Sequence, residues 1–239
     1  MRTTMSLPQV NVIIPTIGKD RMIVDLLQQI YELDDDIVRQ VIVLDNGMDQ
    51  DTLGLCRYFS YARIVDARGK SIYQMWNMGV KEVLTTHPGD YLVILNDDII
   101  LETDAFFTKL VEPLDMYADI WATCGNYNKE LNPYSEDDIA KDVTGTFKDN
   151  GFAGFCFAVK AEAFLNRLPL FEEKYFWWYG DDDFVHEVHK LNKRTTLSLQ
   201  AIMTHINNGS QSIEQYTPSF NELVAKDREV YMRKWHGVS

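Results

Sequence analysis

The chain has 239 residues, 46% of them hydrophobic and 12% aromatic, enough to bury one large core or two modest ones and too apolar for a disordered chain. Its formal net charge is −13, from 36 acidic and 23 basic residues. That balance argues against nucleic acid as a partner, which needs a basic stripe, yet allows anionic substrates, because a bound divalent cation reverses the local sign. Three widely separated cysteines, Cys56, Cys124 and Cys156, have neither metal-ligand nor redox spacing and read as buried free thiols. With no apolar leader and no segment of membrane-spanning length, the expectation is a soluble, cytoplasmic protein.

Val10–Thr16 reads as a first buried strand leaving through Pro15. A helix is expected from about Asp20 to Leu33, where Ile23, Leu26, Leu27 and Ile30 recur at helical spacing. Gln40–Leu44 is a second strand stopping at Asp45-Asn46-Gly47. A short helix over Leu53–Phe59, a third strand over Arg63–Asp66 and a helix over Ser71–Leu84 follow. Tyr91–Leu95 then reads as a fully buried strand that runs into Asn96-Asp97-Asp98. Four strands alternating with helices predict βαβ units and a mostly parallel sheet. Three of them end in acids, at Asp45, Asp66 and Asp97/Asp98, and parallel strands set such ends along one rim, where ligands bind in open α/β sheets. The chain lacks both a GxGxxG after the first strand and a P-loop lysine motif.

The second half is less regular. A helix is expected near Thr103–Tyr117 and a strand over Ile120–Cys124. Asn126–Asn150 reads as a long substrate-side loop. Gly151–Val159 alternates small and large residues, as in a strand with close backbone approach. Phe176-Trp177-Trp178-Tyr179 stands directly before Gly180-Asp181-Asp182-Asp183, where a helix begins. Three adjacent acids exceed what capping needs, and like charges raise one another's pKa, which suits a general base. Ser198–Met203 is a last short strand ending at Thr204-His205, Asn207–Ser210 a turn, and Pro218–Trp235 a closing helix.

In this order and spacing, the motifs resemble family 2 of the inverting, metal-dependent glycosyltransferases with the GT-A fold, over nearly the whole chain. Val12-Ile13-Ile14-Pro15-Thr16 resembles the family's first strand, and Val43-Leu44-Asp45-Asn46-Gly47 its second, whose acid contacts the nucleobase. Trp76-Asn77-Met78-Gly79 is similar to a recurrent Asn-x-Gly, Asn96-Asp97-Asp98 to the DxD motif, and Tyr231–Trp235 to a common C-terminal ending. The resemblance implies an α/β GT-A fold in a single domain. Residues of about 1–125 would form its nucleotide-sugar half and about 126–239 its acceptor and catalytic half.

It further implies a hexosyltransferase-like enzyme that moves a sugar from a UDP-, dTDP- or GDP-sugar to a hydroxyl on a glycan, a lipid-linked sugar, a protein or another acceptor. Asp98 would hold Mn²⁺ or Mg²⁺, with His205 as an additional ligand. Pro15, Thr16, Asp45, Asp66, Asn77, Asn96 and Asp97 would bind the donor. Trp177, Trp178 and Tyr179 would face the acceptor. Asp181 falls in the register of the catalytic base, with Asp182 as the alternative. Asn96 departs from the first DxD acid, and Gly180 stands where the family usually carries Glu. Asn192 stands where the helix would close on glycine, and asparagine tolerates the same left-handed backbone. The Glu-to-Gly departure supports the alternative of a non-catalytic GT-A module that binds a nucleotide-sugar or a glycan.

Overall fold

The computed structural model describes residues 8–18, 21–33, 36–86, 91–144, 151–166, 168–206 and 219–237. They form an α/β architecture with strands β1 Val10–Thr16, β2 Val38–Asp45, β3 Ala62–Asp66, β4 Tyr91–Leu95, β5 Ile99–Leu101, β6 Ile120–Asn126, β7 Ala140–Asp142, β8 Cys156–Lys160 and β9 Arg194–His205. The helices are α1 Met22–Leu33, α2 Gln50–Cys56, α3 Ile72–Thr86, α4 Phe106–Met116, α5 Ala161–Asn166, α6 Gly180–Lys190 and α7 Phe220–His236. The strands form one sheet in the order β3-β2-β1-β4-β8-β6-β9-β5, with β7 added on β9. β1, β2, β3, β4, β6 and β9 point one way, whereas β8 runs against both of its neighbours. The central sheet is thus mostly parallel. α3 packs against β1, α4 against β6 and β9, and α6 against β9.

β1 and β4 are buried along their whole length, which is why β4 reads as an unbroken apolar run and β1 as one broken only by the buried Asn11 before Pro15-Thr16. Each fully buried valine, leucine or isoleucine side chain contributes about 1.5–3 kcal/mol, so burial fixes both strands firmly in the sheet. Gly79 lets α3 settle on them: a Cβ there would come within 2.4 Å of Ile13.

The first four strands and their helices follow the expected order. The second half departs from it in several places. Asn126–Asn150 is not an unbroken loop, because Ala140–Asp142 pairs antiparallel with β9 at Ser198, Leu197 and Thr196. That edge strand is polar and owes its conformation to its partner, so no apolar alternation announces it. Gly151–Ala153 has no regular structure, Gly154–Phe155 is a turn, and the strand begins only at Cys156. Ile99–Leu101 and Ala161–Asn166 form elements too short to carry a periodicity. The last strand is longer than Ser198–Met203, and the Asn207–Ser210 turn lies outside the described residues. Asn192 has φ 53, the left-handed backbone expected at the end of α6. Among the described residues no helix is long and apolar enough to cross a membrane.

Candidate active site

A cavity of about 190 Å³ lies where the carboxyl ends of β1, β4 and β9 meet the N-termini of α3 and α6. β1 supplies Pro15 and Thr16, the exit of β4 supplies Asn96, Asp97 and Asp98, β9 supplies His205, and α6 supplies Asp181. Thr16 ties the end of β1 to the exit of β4: its hydroxyl donates a hydrogen bond to Asp97 Oδ2 and accepts one from the Gly18 amide at 2.8 Å. Burial pushes Asp97 up to about 7. The Thr16 bond opposes the shift, and the charge of Asp98 adds to it.

The pairing of β5 with β9 explains how Asp98 meets a residue 107 positions later. Ile99 is the register partner of His205, and the Ile206 amide donates to the Asp98 carbonyl at 2.9 Å. Asp98 Oδ2 then lies 3.1 Å from His205 Nε2, and the Phe155 ring stacks on the imidazole with centroids 4.0 Å apart. Asp98 is only 4% exposed. Its Oδ1, His205 Nδ1 and the side-chain oxygen of Asn96 are buried with no hydrogen-bond partner among the described residues. Unpaired buried polar atoms cost about 1–3 kcal/mol each, and in a native fold they point to a missing ion, water or substrate.

That chemistry fits a divalent cation. A hard carboxylate oxygen and an imidazole nitrogen stand side by side, and both side chains keep unsatisfied atoms. Among the described residues no group of three or more His, Cys, Asp or Glu side chains converges. Substrate oxygens would have to complete the sphere, as is usual for Mg²⁺-type sites that rely on one or two carboxylates.

Asp181, which also lines the cavity, lies in the first turn of α6. Burial raises its pKa, opposed by its own backbone amide and that of Asp182. Gly154 makes room for it, since a Cβ there would sit 2.3 Å from Asp181 Oδ2. The buried Tyr73 hydroxyl accepts from the Gly180 amide at 2.9 Å and donates to the Trp177 carbonyl at 3.3 Å. A Cβ at position 180 would fall 2.2 Å from the Tyr73 ring, which is a packing reason for glycine where the resemblance implies Glu.

The three acids of α6 do not share one environment. Asp181 lines the cavity and Asp182 does not. Asp183 is buried beneath α7, accepting from Trp235 Nε1 at 2.6 Å, Lys234 Nζ at 2.9 Å and the Tyr175 hydroxyl at 3.2 Å. Trp177 and Trp178 line the cavity, and Trp178 is 38% exposed. Tyr179 turns away, its ring 5.0 Å from Tyr231. Its φ of 68 is left-handed, at a cost of about 1–2 kcal/mol for a residue with a Cβ.

Of the residues expected from sequence to bind a donor, Thr16, Asp45 and Asp66 are register partners on adjacent strands, so Asp45 and Asp66 stand in a row with Thr16. Neither Asp45 nor Asp66 lines the cavity. Asp45 Oδ1 accepts from the amides of Gly47 and Met48 at 2.9 and 2.7 Å. The exposed Asp66 is held down to about 2 by the hydrogen bonds of Arg68. Asn77 is placed elsewhere. Its amide donates to the Phe171 carbonyl and Glu173, and its oxygen accepts from the Phe171 amide at 2.9 Å, so the group pins a loop outside the cavity. Phe155, Gly154, Tyr73 and Asp227 escaped the sequence reading. Only the small–large alternation of Gly151–Phe155 hinted at the first two.

No family model and no curated protein matches the chain. Solved structures do match it. GalNAc-T7 with UDP, GalNAc and Mn²⁺ aligns with a TM-score of 0.63 at 13% identity, over 84% of this chain and 44% of that one. The mannosyltransferase PcManGT from Pyrobaculum calidifontis, in complex with GDP-Man and Mn²⁺, gives 0.64 at 18% identity, over 82% and 56%. A mycobacterial protein gives 0.65 at 17% identity, over 98% and 76%. The chain spans about half the length of the first two. The shared fold is that of GT-A glycosyltransferases.

Proposed function

We propose that this chain is an inverting glycosyltransferase of the family 2 type, moving a sugar from a nucleoside-diphosphate donor to an acceptor hydroxyl. The observation that carries the reading is one cavity lined both by the partner-deficient Asp98–His205 pair and by the half-buried Asp181. It is supported by the likeness to two structures that hold UDP or GDP-Man together with Mn²⁺.

In this reading Asp98 and His205 would hold Mn²⁺ or Mg²⁺, which would supply charge neutralisation for the diphosphate leaving group. Thr16, Asn96 and Asp97 position the donor, and Asp45 and Asp66 sit farther along the rim, toward its nucleoside. Asp181, not Asp182, takes the proton from the acceptor hydroxyl as that oxygen bonds to the anomeric carbon. The bond from that carbon to the phosphate oxygen breaks in the same step, and the nucleoside diphosphate leaves with the electron pair. A pKa raised toward working pH makes Asp181 a better base than an ordinary carboxylate. Trp177 and Trp178 offer flat faces to the acceptor, whose class remains any hydroxyl-bearing glycan, lipid-linked sugar or protein. The first half of the chain then serves the donor and the second half the acceptor. Three buried free thiols fit a cytoplasmic setting.

The test is a panel of UDP-, GDP- and dTDP-sugars with Mn²⁺ and simple sugar acceptors, followed by proton NMR of the product. Transfer with inverted anomeric configuration is expected. Retained configuration would remove the single-displacement mechanism, and donor binding without nucleotide release would favour a non-catalytic module.

A further inference from the structure

We propose that Asp227, on α7, is a positioning residue for the acceptor wall and the catalytic base. This rests on the transferase reading of the cavity and extends it to a side chain that touches neither substrate nor metal. Asp227 is 1% exposed and, with Phe220, one of two buried residues of α7. Its carboxylate accepts three consecutive backbone amides: Phe176 at 2.8 Å on Oδ1, then Trp177 at 2.7 Å and Trp178 at 2.9 Å on Oδ2. Those amides belong to the segment that carries both cavity tryptophans and leads into α6 at Gly180, the residue before Asp181.

The need for such an anchor follows from the backbone. The segment 176–179 belongs to no helix or strand, so its amides have no ladder to satisfy them, and buried amides without acceptors are costly. It must also hold Tyr179 in a left-handed conformation. Tyr73 fixes the far end through the Gly180 amide and the Trp177 carbonyl, and Asp227 fixes the near end. A carboxylate suits the task because both oxygens accept and neither donates. Asparagine would keep one oxygen and turn its NH₂ toward the amides. α7 thereby acts on the cavity from outside it.

The experiment compares the full chain with Asp227→Asn, Asp227→Ala and the exposed neighbour control Lys226→Ala, each at a temperature where circular dichroism shows it folded. Amide exchange by mass spectrometry reads segment 176–182, and titration with UDP or GDP plus Mn²⁺ reads the donor side. Turnover of a nucleotide-sugar gives kcat. In Asp227→Asn the 176–178 amides are expected to exchange about tenfold faster, as a lost charge-assisted bond implies. kcat should fall about 10²-fold, the cost of misplacing a reacting group by about 1 Å. Nucleotide affinity and the Lys226→Ala control should stay at wild-type values. Wild-type kcat in both folded Asp227 variants, or a loss matched by equally weakened nucleotide binding, would overturn the assignment. If the wild type turns over no donor, the transferase reading fails on its own. Asp227 is then judged by amide exchange and by acrylamide quenching of the Trp177–Trp178 emission, and unchanged values in Asp227→Asn would refute it.

Discussion

The two walls of the cavity are built by different means. The wall that the proposal assigns to the donor stands on the ends of β1 and β4, every residue of which is buried, so hydrophobic packing places Thr16 and the Asn96–Asp98 turn. The α6 wall stands on a bend without regular structure and on the first turn of α6. It is held by polar tethers: Asp227 to three amides, Tyr73 to Gly180, and Lys234 and Trp235 to Asp183. Packing fixes a position against many small perturbations, whereas a tether fails when one group is removed. Donor binding should therefore survive single substitutions on the α6–α7 side, and catalysis should not.

The largest break between the walls is expected from Asp181→Asn. Removing a general base costs about 10²–10⁴-fold in turnover, while affinity for nucleotide and Mn²⁺ should be unchanged by calorimetry. The same variant should melt at a higher temperature than the wild type near neutral pH. Burial raises the folded-state pKa of Asp181, so its ionised form disfavours the fold, and that penalty grows as pH rises through the raised pKa. A neutral amide does not carry it. Equal melting temperatures across pH 5–8 would contradict the raised pKa.

Asp98→Ala makes the complementary break. Metal-dependent nucleotide affinity should fall about 10–100-fold, with α6 untouched, and chelation of the wild type should reproduce the loss. Gly154→Ala comes next. Its Cβ would collide with the Asp181 carboxylate, so kcat should drop about tenfold or more with KM for the donor steady. A smaller effect is the pH profile. Because the base form of Asp181 is lost as pH falls through a raised pKa, the acid limb of kcat should lie above the ordinary carboxylate range, and it should vanish in Asp181→Asn. The smallest is Asp66→Asn: the Asp66–Arg68 pair is exposed, and exposed pairs contribute little, so the melting temperature should not move.

The same contrast explains what could be read from sequence. The β1–β4 wall was legible because buried parallel strands appear as apolar runs and their acids mark the rim. Tyr91–Leu95 followed by Asn96–Asp98 carried the whole pattern locally. The α6 acids were legible as a cluster but not as roles. Successive helical residues point about 100° apart, so three adjacent acids cannot all face one cavity. What captures Asp183 is Lys234 and Trp235, about fifty positions away. Asn77 shows the same limit, since its partners lie in the 171–173 loop and nothing near it in sequence names them. Asp227 was invisible for the same reason: an acid in a charged helix looks like any solvated residue until the fold brings three amides to it.

The most direct test pairs binding with turnover in Asp181→Asn and Asp182→Asn, using nucleotide release from a donor that the wild type consumes. Unchanged Mn²⁺-nucleotide affinity in both variants, with turnover abolished in Asp181→Asn and largely kept in Asp182→Asn, is the expected result. Near-normal turnover in Asp181→Asn, above all if Asp182→Asn is dead, would contradict the assignment of the base.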